Sequence, residues 1–344
     1  MVEKTKTLQS KSTIRIGQGK GDNLLHLFND LVPRDSLHPN YMAFKAPDRE
    51  EFQNVILDWA EGFIDRDGND KFCREFQTTF NSSFWELYLF AVIKSLGWEV
   101  DFSKAAPDFR IPSKNLNIEA VVSNAAANDI QEWNKTFEGV TNADFLASQA
   151  ATIERLSNSI SSKLKKYNES YQNYKEVKDS AFIIAVGSYG TQDFFHLGDV
   201  AAQRLIYDDA REGKITKRNG SELTLGLFSM PEYTNVSAII FSSTATFGKV
   251  RAISGSTKPA FFQATRIKNL IEPINASAPA GEYRESLSDG LRVFHNKNAS
   301  RPIPPDLFGT DTDIMQFCFE GDDQYVLGSP NGDLANRQVI VLRT

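Results

Sequence analysis

Histidine and cysteine are scarce in this chain: four histidines and two cysteines among 344 residues. Cys73 and Cys318 stand far apart and have no paired-ligand spacing. That excludes a zinc knuckle and a disulfide scaffold, and fits a reducing compartment. His26, His38, His196 and His295 show no pairing interval of a helix or hairpin, which argues against a histidine metal site or a Ser-His-Asp triad. No G-x-S-x-G elbow occurs. No apolar run approaches the length of a membrane span. The opening residues MVEKTKTLQSKSTIRIGQGKG are polar and lack the apolar core of an export signal, so a cytoplasmic location is expected. Positive charge is not in excess either. The formal net charge is −6, so any nucleic acid must be held by a local basic patch.

Two short motifs fail on spacing. GQGKG at Gly17–Gly21 lacks the length and the Lys-Ser/Thr ending of a phosphate loop and reads as a turn. DRDGND at Asp65–Asp70 has its glycine misplaced for a calcium loop and no glutamate at the twelfth position; it reads as a helix-ending turn.

What is present is an ordinary globular composition, 41% apolar and 24% charged. Periodicity predicts an amphipathic helix over 48–64, with Phe52, Ile56, Trp59 and Phe63 on one face. A second helix is predicted over 81–97, capped by Ser82 or Ser83 and stopped by Gly97. Strands are expected at 98–102, 107–111 and 117–123, then a long helix over 143–167. AFIIAVG at 181–187 reads as a strand buried on both faces. A helix at 194–208 and strands at 223–230 and 236–243 follow, and the pattern weakens beyond about 255. The expected class is α/β, with an N-terminal segment over 1–80, a core over 81–210 and an α+β extension over 211–344.

Three acids give this order a chemical point. From Phe84 to Ile93 the only polar residue is Glu86. A carboxylate in a helix that is otherwise buried needs a cation, a proton or an arginine, or must reach solvent. If Ile111 pairs with Leu116 across the intervening loop, Asp108 stands opposite Glu119. Directly opposed like charges repel, which stabilises nothing in a purely structural hairpin. A divalent cation resolves the conflict, since Mg²⁺ takes one or two carboxylates and keeps several waters. Strand alternation puts Asp108, Arg110, Asn117, Glu119 and Val121 on one face and Phe109, Ile111, Ile118, Ala120 and Val122 on the core face.

A helix glutamate, then Pro-Asp, then a strand with Ile-Glu-x-Val resembles the PD-(D/E)xK nuclease superfamily. WELYL, LGWEVD, PDF and IEAVV are together similar to a group of bacterial proteins within it. The resemblance covers about residues 80–187. It implies a restriction-endonuclease-like core of helix, three strands, helix and strand. It further implies hydrolysis of phosphodiester bonds, in DNA, with Mg²⁺ or Mn²⁺ held by Asp108 and Glu119 and assisted by Glu86. The superfamily also contains homodimers.

The chain departs from the family pattern at one position: where a lysine is wanted two residues after the second acid, it has Val121. On the long helix, Lys163 falls near the middle of an apolar stripe that includes Ile153, Leu156, Ile160 and Leu164, whereas Lys165 and Lys166 point away from it. Lys163 either reaches the acids as a replacement catalytic lysine or snorkels to solvent. Lys104 is a weaker candidate. Arg110 either binds phosphate or neutralises Asp108. The tract 163–178 interleaves lysines with Tyr167, Tyr171 and Tyr174, in the manner of a single-strand grip or of a solvated helix end. Lys249, Arg251, Arg292 and Lys297 are candidates for a groove lining. The reading is a divalent-metal-dependent nuclease, with a non-catalytic binding module for nucleic acid or protein as the alternative.

Overall fold

The structure, a computed structural model, describes residues 25–134, 142–190, 194–208, 214–269, 271–329 and 331–341. Gly17–Gly21 and the side chain of His196 lie outside the described residues.

Three short helices come first. In α1 (Pro39–Lys45) a proline occupies the first turn, where its missing N–H costs nothing, and the His38 ring accepts from the Asn40 amide as cap. Helix α2 (Glu50–Ala60) buries Phe52, Ile56 and Trp59, and α3 (Lys71–Thr78) buries Phe72, Cys73 and Phe76. The DRDGND turn separates them, and Asp65 Oδ2 accepts from the Phe72 amide at the start of α3. Helix α4 (Phe80–Ser95) begins before Ser82, with no side-chain cap. It is apolar nearly all round because it is covered on both sides, by α2 and α3 and by the central sheet.

The sheet begins at β1 (Phe109–Ile111) and β2 (Leu116–Asn124), antiparallel, with Ile111 opposite Leu116 as the sequence predicts. After α5 (Asn142–Glu169), β3 (Ala181–Tyr189) pairs parallel with β2 along nine positions. Then come α6 (Phe194–Tyr207), the small hairpin β4 (Lys214–Thr216) and β5 (Glu222–Thr224), and β6 (Ala238–Ser242), parallel to β3. Helix α7 (Phe247–Ile253) leads into β7 (Ala260–Lys268) and β8 (Glu272–Pro279). The chain returns to the sheet through β9 (Arg292–His295), β10 (Met315–Glu320) and β11 (Asp323–Leu327), and closes with β12 (Asp333–Val341).

Seven strands form one mixed sheet in the order β1-β2-β3-β6-β9-β10-β11, and β12-β7-β8 form a second. Residues 211–344 therefore continue the same sheet as the expected core. Alternation sorts each strand between two cores. Ile118, Ala120, Ile183, Ala185 and Ile240 face α4, while Phe182, Ile184, Val186, Ile239 and Phe241 belong with Ile153, Leu156 and Ile160 of α5. The result is a three-layer α/β/α arrangement, in which both faces of β3 are buried along its whole length.

Several sequence expectations need correction. WEVDF at 98–102 is not a strand: a single backbone hydrogen bond, from the Asp101 amide to the Arg110 carbonyl, ties it to β1. The segment 223–230 is strand only to Thr224, because Gly226, with φ of 76°, turns the chain into a short 3-10 helix. Lys249 lines no groove. It is wholly buried in α7 and paired with the equally buried Glu285, which also binds Arg337. The second sheet escaped notice because its strands alternate weakly and β8 lies almost entirely in the exposed layer.

One close approach fixes α4 on the sheet. The Trp85 indole N–H donates to the Ala185 carbonyl at 3.0 Å, and the ring lies over Gly187. A Cβ at residue 187 would stand 2.9 Å from Trp85 Cδ2 and 3.0 Å from Tyr189 Cε2. Gly187→Val is expected to destabilise the fold by about 1–3 kcal/mol, read as a lower denaturant midpoint with loss of the Trp85 near-ultraviolet signal. An unchanged midpoint would show that α4 is not seated by this contact.

Candidate functional site

The site arises because β1 begins only at Phe109. Its three residues pair with Leu116–Ile118, so β2 from Glu119 onward has no strand on that side. An unpaired strand edge must find other partners. Asp108, just before β1, supplies one: its Oδ2 accepts from the Ala120 amide at 2.7 Å. Helix α5 supplies others, with Ser159 Oγ donating to the Val122 carbonyl and Arg155 Nε to the Asn124 carbonyl. Between these attachments lies a cavity of 390 Å³ lined by Glu86, Asp108, Ala120, Val121, Val122 and Lys163. A second cavity, of 250 Å³, is also lined by Glu86 and Asp108, together with Arg66, Lys71, Glu75 and Lys166. The helix glutamate, the Pro-Asp aspartate and the α5 lysine thus converge on one gap at the sheet edge.

Glu119 is 1% exposed and points toward α5, as the strand alternation requires. Its Oε1 accepts from Lys163 Nζ at 2.8 Å, Lys166 Nζ at 3.2 Å and the Tyr171 hydroxyl at 3.2 Å. Its Oε2 is buried with no hydrogen-bond partner among the described residues. The burial of Tyr171 and the charge of Glu119 hold the phenol proton firmly in place, so Tyr171 is a donor throughout the ordinary pH range.

Lys163 therefore reaches the acids, as the centre of its stripe suggested. Lys166 corrects the expectation that it points away: its long stem carries the ammonium back to Glu119, and it lies 5.0 Å from the centre of the Tyr171 ring. Tyr171 is not an exposed base-stacking platform but a buried ligand of Glu119. Lys104 turns outward and pairs with Glu176 at 3.4 Å. Arg110 neutralises Asp101 at 3.2 Å rather than Asp108. Arg66 takes the role expected of Arg110. Its guanidinium stands 3.7 Å from Asp108 Oδ1 and donates to the Lys104 and Pro107 carbonyls, fixing the loop that presents Asp108. Nothing local in the sequence identified Arg66, since it lies 42 positions before Asp108 in a turn that reads as a helix stop.

The electrostatics follow from crowding. Burial, then the charge of Asp108, pushes Glu86 from its ordinary range up to about 8. Burial, then the charge of Glu119, raises Asp108 to about 6, against the pull of Lys163 and the Ala120 amide. No hydrogen bond or ion pair engages Glu86 among the described residues. No three His, Cys, Asp or Glu side chains among the described residues are grouped closely enough to hold a metal by themselves. The donor set nevertheless suits a hard cation that keeps most of its waters. The charge of Glu119 raises the proton affinity of Asp108, and among the described residues Glu119 has a buried oxygen without a partner. Glu119 Oε2 and Asp108 would hold it, with Glu86 alongside.

Each raised carboxyl keeps its proton in the folded state over a pH range where the unfolded chain has released it. Stability is therefore lost as pH rises from the ordinary value of 4.5 toward about 8 for Glu86. In metal-free protein held in EDTA, Glu86→Gln is expected to gain on the wild type by about 3–4 kcal/mol between pH 5 and 8. Urea unfolding at a series of pH values measures this. A constant difference across that range would mean that Glu86 is freely ionised.

No protein-family model matches this chain, and neither a curated protein nor a solved structure matches it.

Proposed function

We propose that the protein is a divalent-metal-dependent nuclease of restriction-endonuclease-like architecture, cleaving phosphodiester bonds in DNA. The observation that carries this reading is the meeting of Glu86, Asp108 and Lys163 around one gap, with Lys163 bonded to Glu119. A lysine on the neighbouring helix thereby stands beside the acid at which the family pattern wants one from the strand, where this chain has Val121. DNA as substrate follows from the resemblance.

A bound Mg²⁺ or Mn²⁺ supplies charge neutralisation at the phosphate and acidifies a water. The chain's own groups do the rest. Asp108 is oriented by the Ala120 amide and Arg66. Glu119 is fixed through one oxygen, which leaves the other free to bind. The Lys163 ammonium, half-buried, places positive charge where a phosphorane or an attacking hydroxide would need it. Glu86 keeps its proton near neutrality while no cation is bound, and a cation beside it would favour the ionised form that an accessory ligand needs. Arg66, Lys71 and Lys166 line the adjoining cavity beside Asp65, Asp67, Glu75, Glu86 and Asp108, so its lining is of mixed charge rather than a positive patch.

Purified protein is expected to cleave plasmid or single-stranded DNA with Mg²⁺ or Mn²⁺ and not in EDTA. Asp108→Ala should abolish cleavage, and Lys163→Ala should slow it by about a hundredfold with the fold retained. Wild type and Asp108→Ala equally inert across metals and substrates would overturn the catalytic reading. The alternative would then stand, a binding module of this fold in which Val121 marks a lost activity.

A further inference from the structure

A third cavity, of 380 Å³, opens beside the N-terminal end of α4, lined by residues of α1, α4, α7 and β12 that the hydrolytic site does not use. Its walls include the rings of Phe44, Phe80, Phe84 and Phe247. Phe80, Phe44 and Phe247 form a row with centroids 5.4 Å and 4.2 Å apart.

At the Phe80 end lies a polar cluster of fixed orientation. Asn40 Nδ2 donates to Asn81 Oδ1 at 3.0 Å and to Glu132 Oε1 at 2.9 Å. Asn81 Nδ2 donates to the same Glu132 oxygen at 2.7 Å and to Asn124 Oδ1 at 3.1 Å. Two amides thus saturate Glu132 Oε1, while Oε2 is buried with no partner among the described residues. This is an acceptor awaiting a donor.

At the Phe247 end lie two guanidinium groups. Arg251 is 5% exposed; its Cζ is 4.8 Å from the centre of the Phe52 ring and 5.8 Å from that of Phe247. Among the described residues it has no ion-pair partner, and its Nη1 has no acceptor. Arg337 is 4% exposed and is held by Glu285, the Thr244 carbonyl and Thr246 Oγ1, yet its Nε has no acceptor among the described residues. Gly248 makes room for it, since a Cβ there would stand 2.7 Å from that Nε. Arg251 is thus a buried cation without an ion-pair partner among the described residues, and Arg337, whose charge Glu285 balances, keeps one buried N–H open.

We propose that this cavity binds one nucleotide. A base with an N–H edge meets Glu132 Oε2, its ring lies among the phenylalanines, and its phosphate accepts from Arg251 and Arg337. Separation of acceptor and donors by a row of rings disfavours an amino acid, whose charged groups share one carbon. The volume is that of an ordinary small-ligand pocket. The nucleotide comes either free or as a unit of a strand turned out of its stack, and both sources present the same chemistry. This inference does not depend on the hydrolytic reading.

The test is calorimetry on the full chain in EDTA, where hydrolysis cannot occur. The four nucleoside monophosphates are titrated singly, followed by a single-stranded oligonucleotide carrying 2-aminopurine. Saturable binding of at least one mononucleotide is expected if the source is free. Binding of the oligonucleotide alone, with a change in 2-aminopurine fluorescence, is expected if the source is a strand. In either case Glu132→Gln, which puts an amide where Oε2 stood, and Arg251→Met should each weaken binding at least tenfold, with circular dichroism unchanged. Asp108→Ala should bind as the wild type does. Glu132→Gln keeps the test decisive should Arg251→Met fail to fold. The proposal falls if neither probe binds, or if binding survives Glu132→Gln or is lost in Asp108→Ala.

Discussion

The arrangement depends on one buried carboxylate oxygen. Glu119 sits in the middle of a strand, at almost no exposure, and a charge there is tolerable only if donors surround it. Two lysines and a tyrosine converge on its Oε1, all three from α5 and the turn that follows. The same contacts tie the long helix to the sheet edge and bring Lys163 to the cavity shared by Asp108 and Glu86. A substitution that removed the Glu119 charge would leave Lys163 half-buried without its partner, so fold and site stand together on this oxygen.

The late start of β1 is the second determinant. A longer β1 would cover the edge of β2 and close the gap in which the acids meet. Instead Asp108 acts as a side-chain substitute for a preceding strand residue, accepting from the Ala120 amide as a backbone carbonyl would. Pro112 and Asn115, the latter in the left-handed region, then turn the chain directly into β2.

Much of this was legible in the sequence because the relevant patterns are local. The register of the hairpin followed from a short loop between two alternating runs. The stripe of α5 followed from a period near four, which also located Lys163. Glu86 stood out by contrast with its neighbours. What stayed hidden depends on reach and on distance along the chain. Lys166 lies off the stripe, but four methylenes carry it back. Arg66 and Arg110 exchanged the expected partnership, because partner choice among nearby charges is decided by loop geometry rather than by spacing. The strand expected at 98–102 has a strand's composition, yet it pairs through a single bond, since the short β1 offers it little edge. The aromatic cavity was invisible, being assembled from four elements spread over almost 300 positions.

Helix α4 takes part in the aromatic cavity and in the cavities of the acids. Asn81 belongs to the polar cluster of the first and Glu86 to the acids of the others, five residues or about 7.5 Å apart along the axis. Between them, Trp85 clamps the helix to β3. Trp85, the neighbour of Glu86, is the fixed point between the two groups. Were an occupant of the aromatic cavity to shift the first turn of α4, the shift would have to pass this contact to reach Glu86, and any coupling so produced would run equally in the other direction.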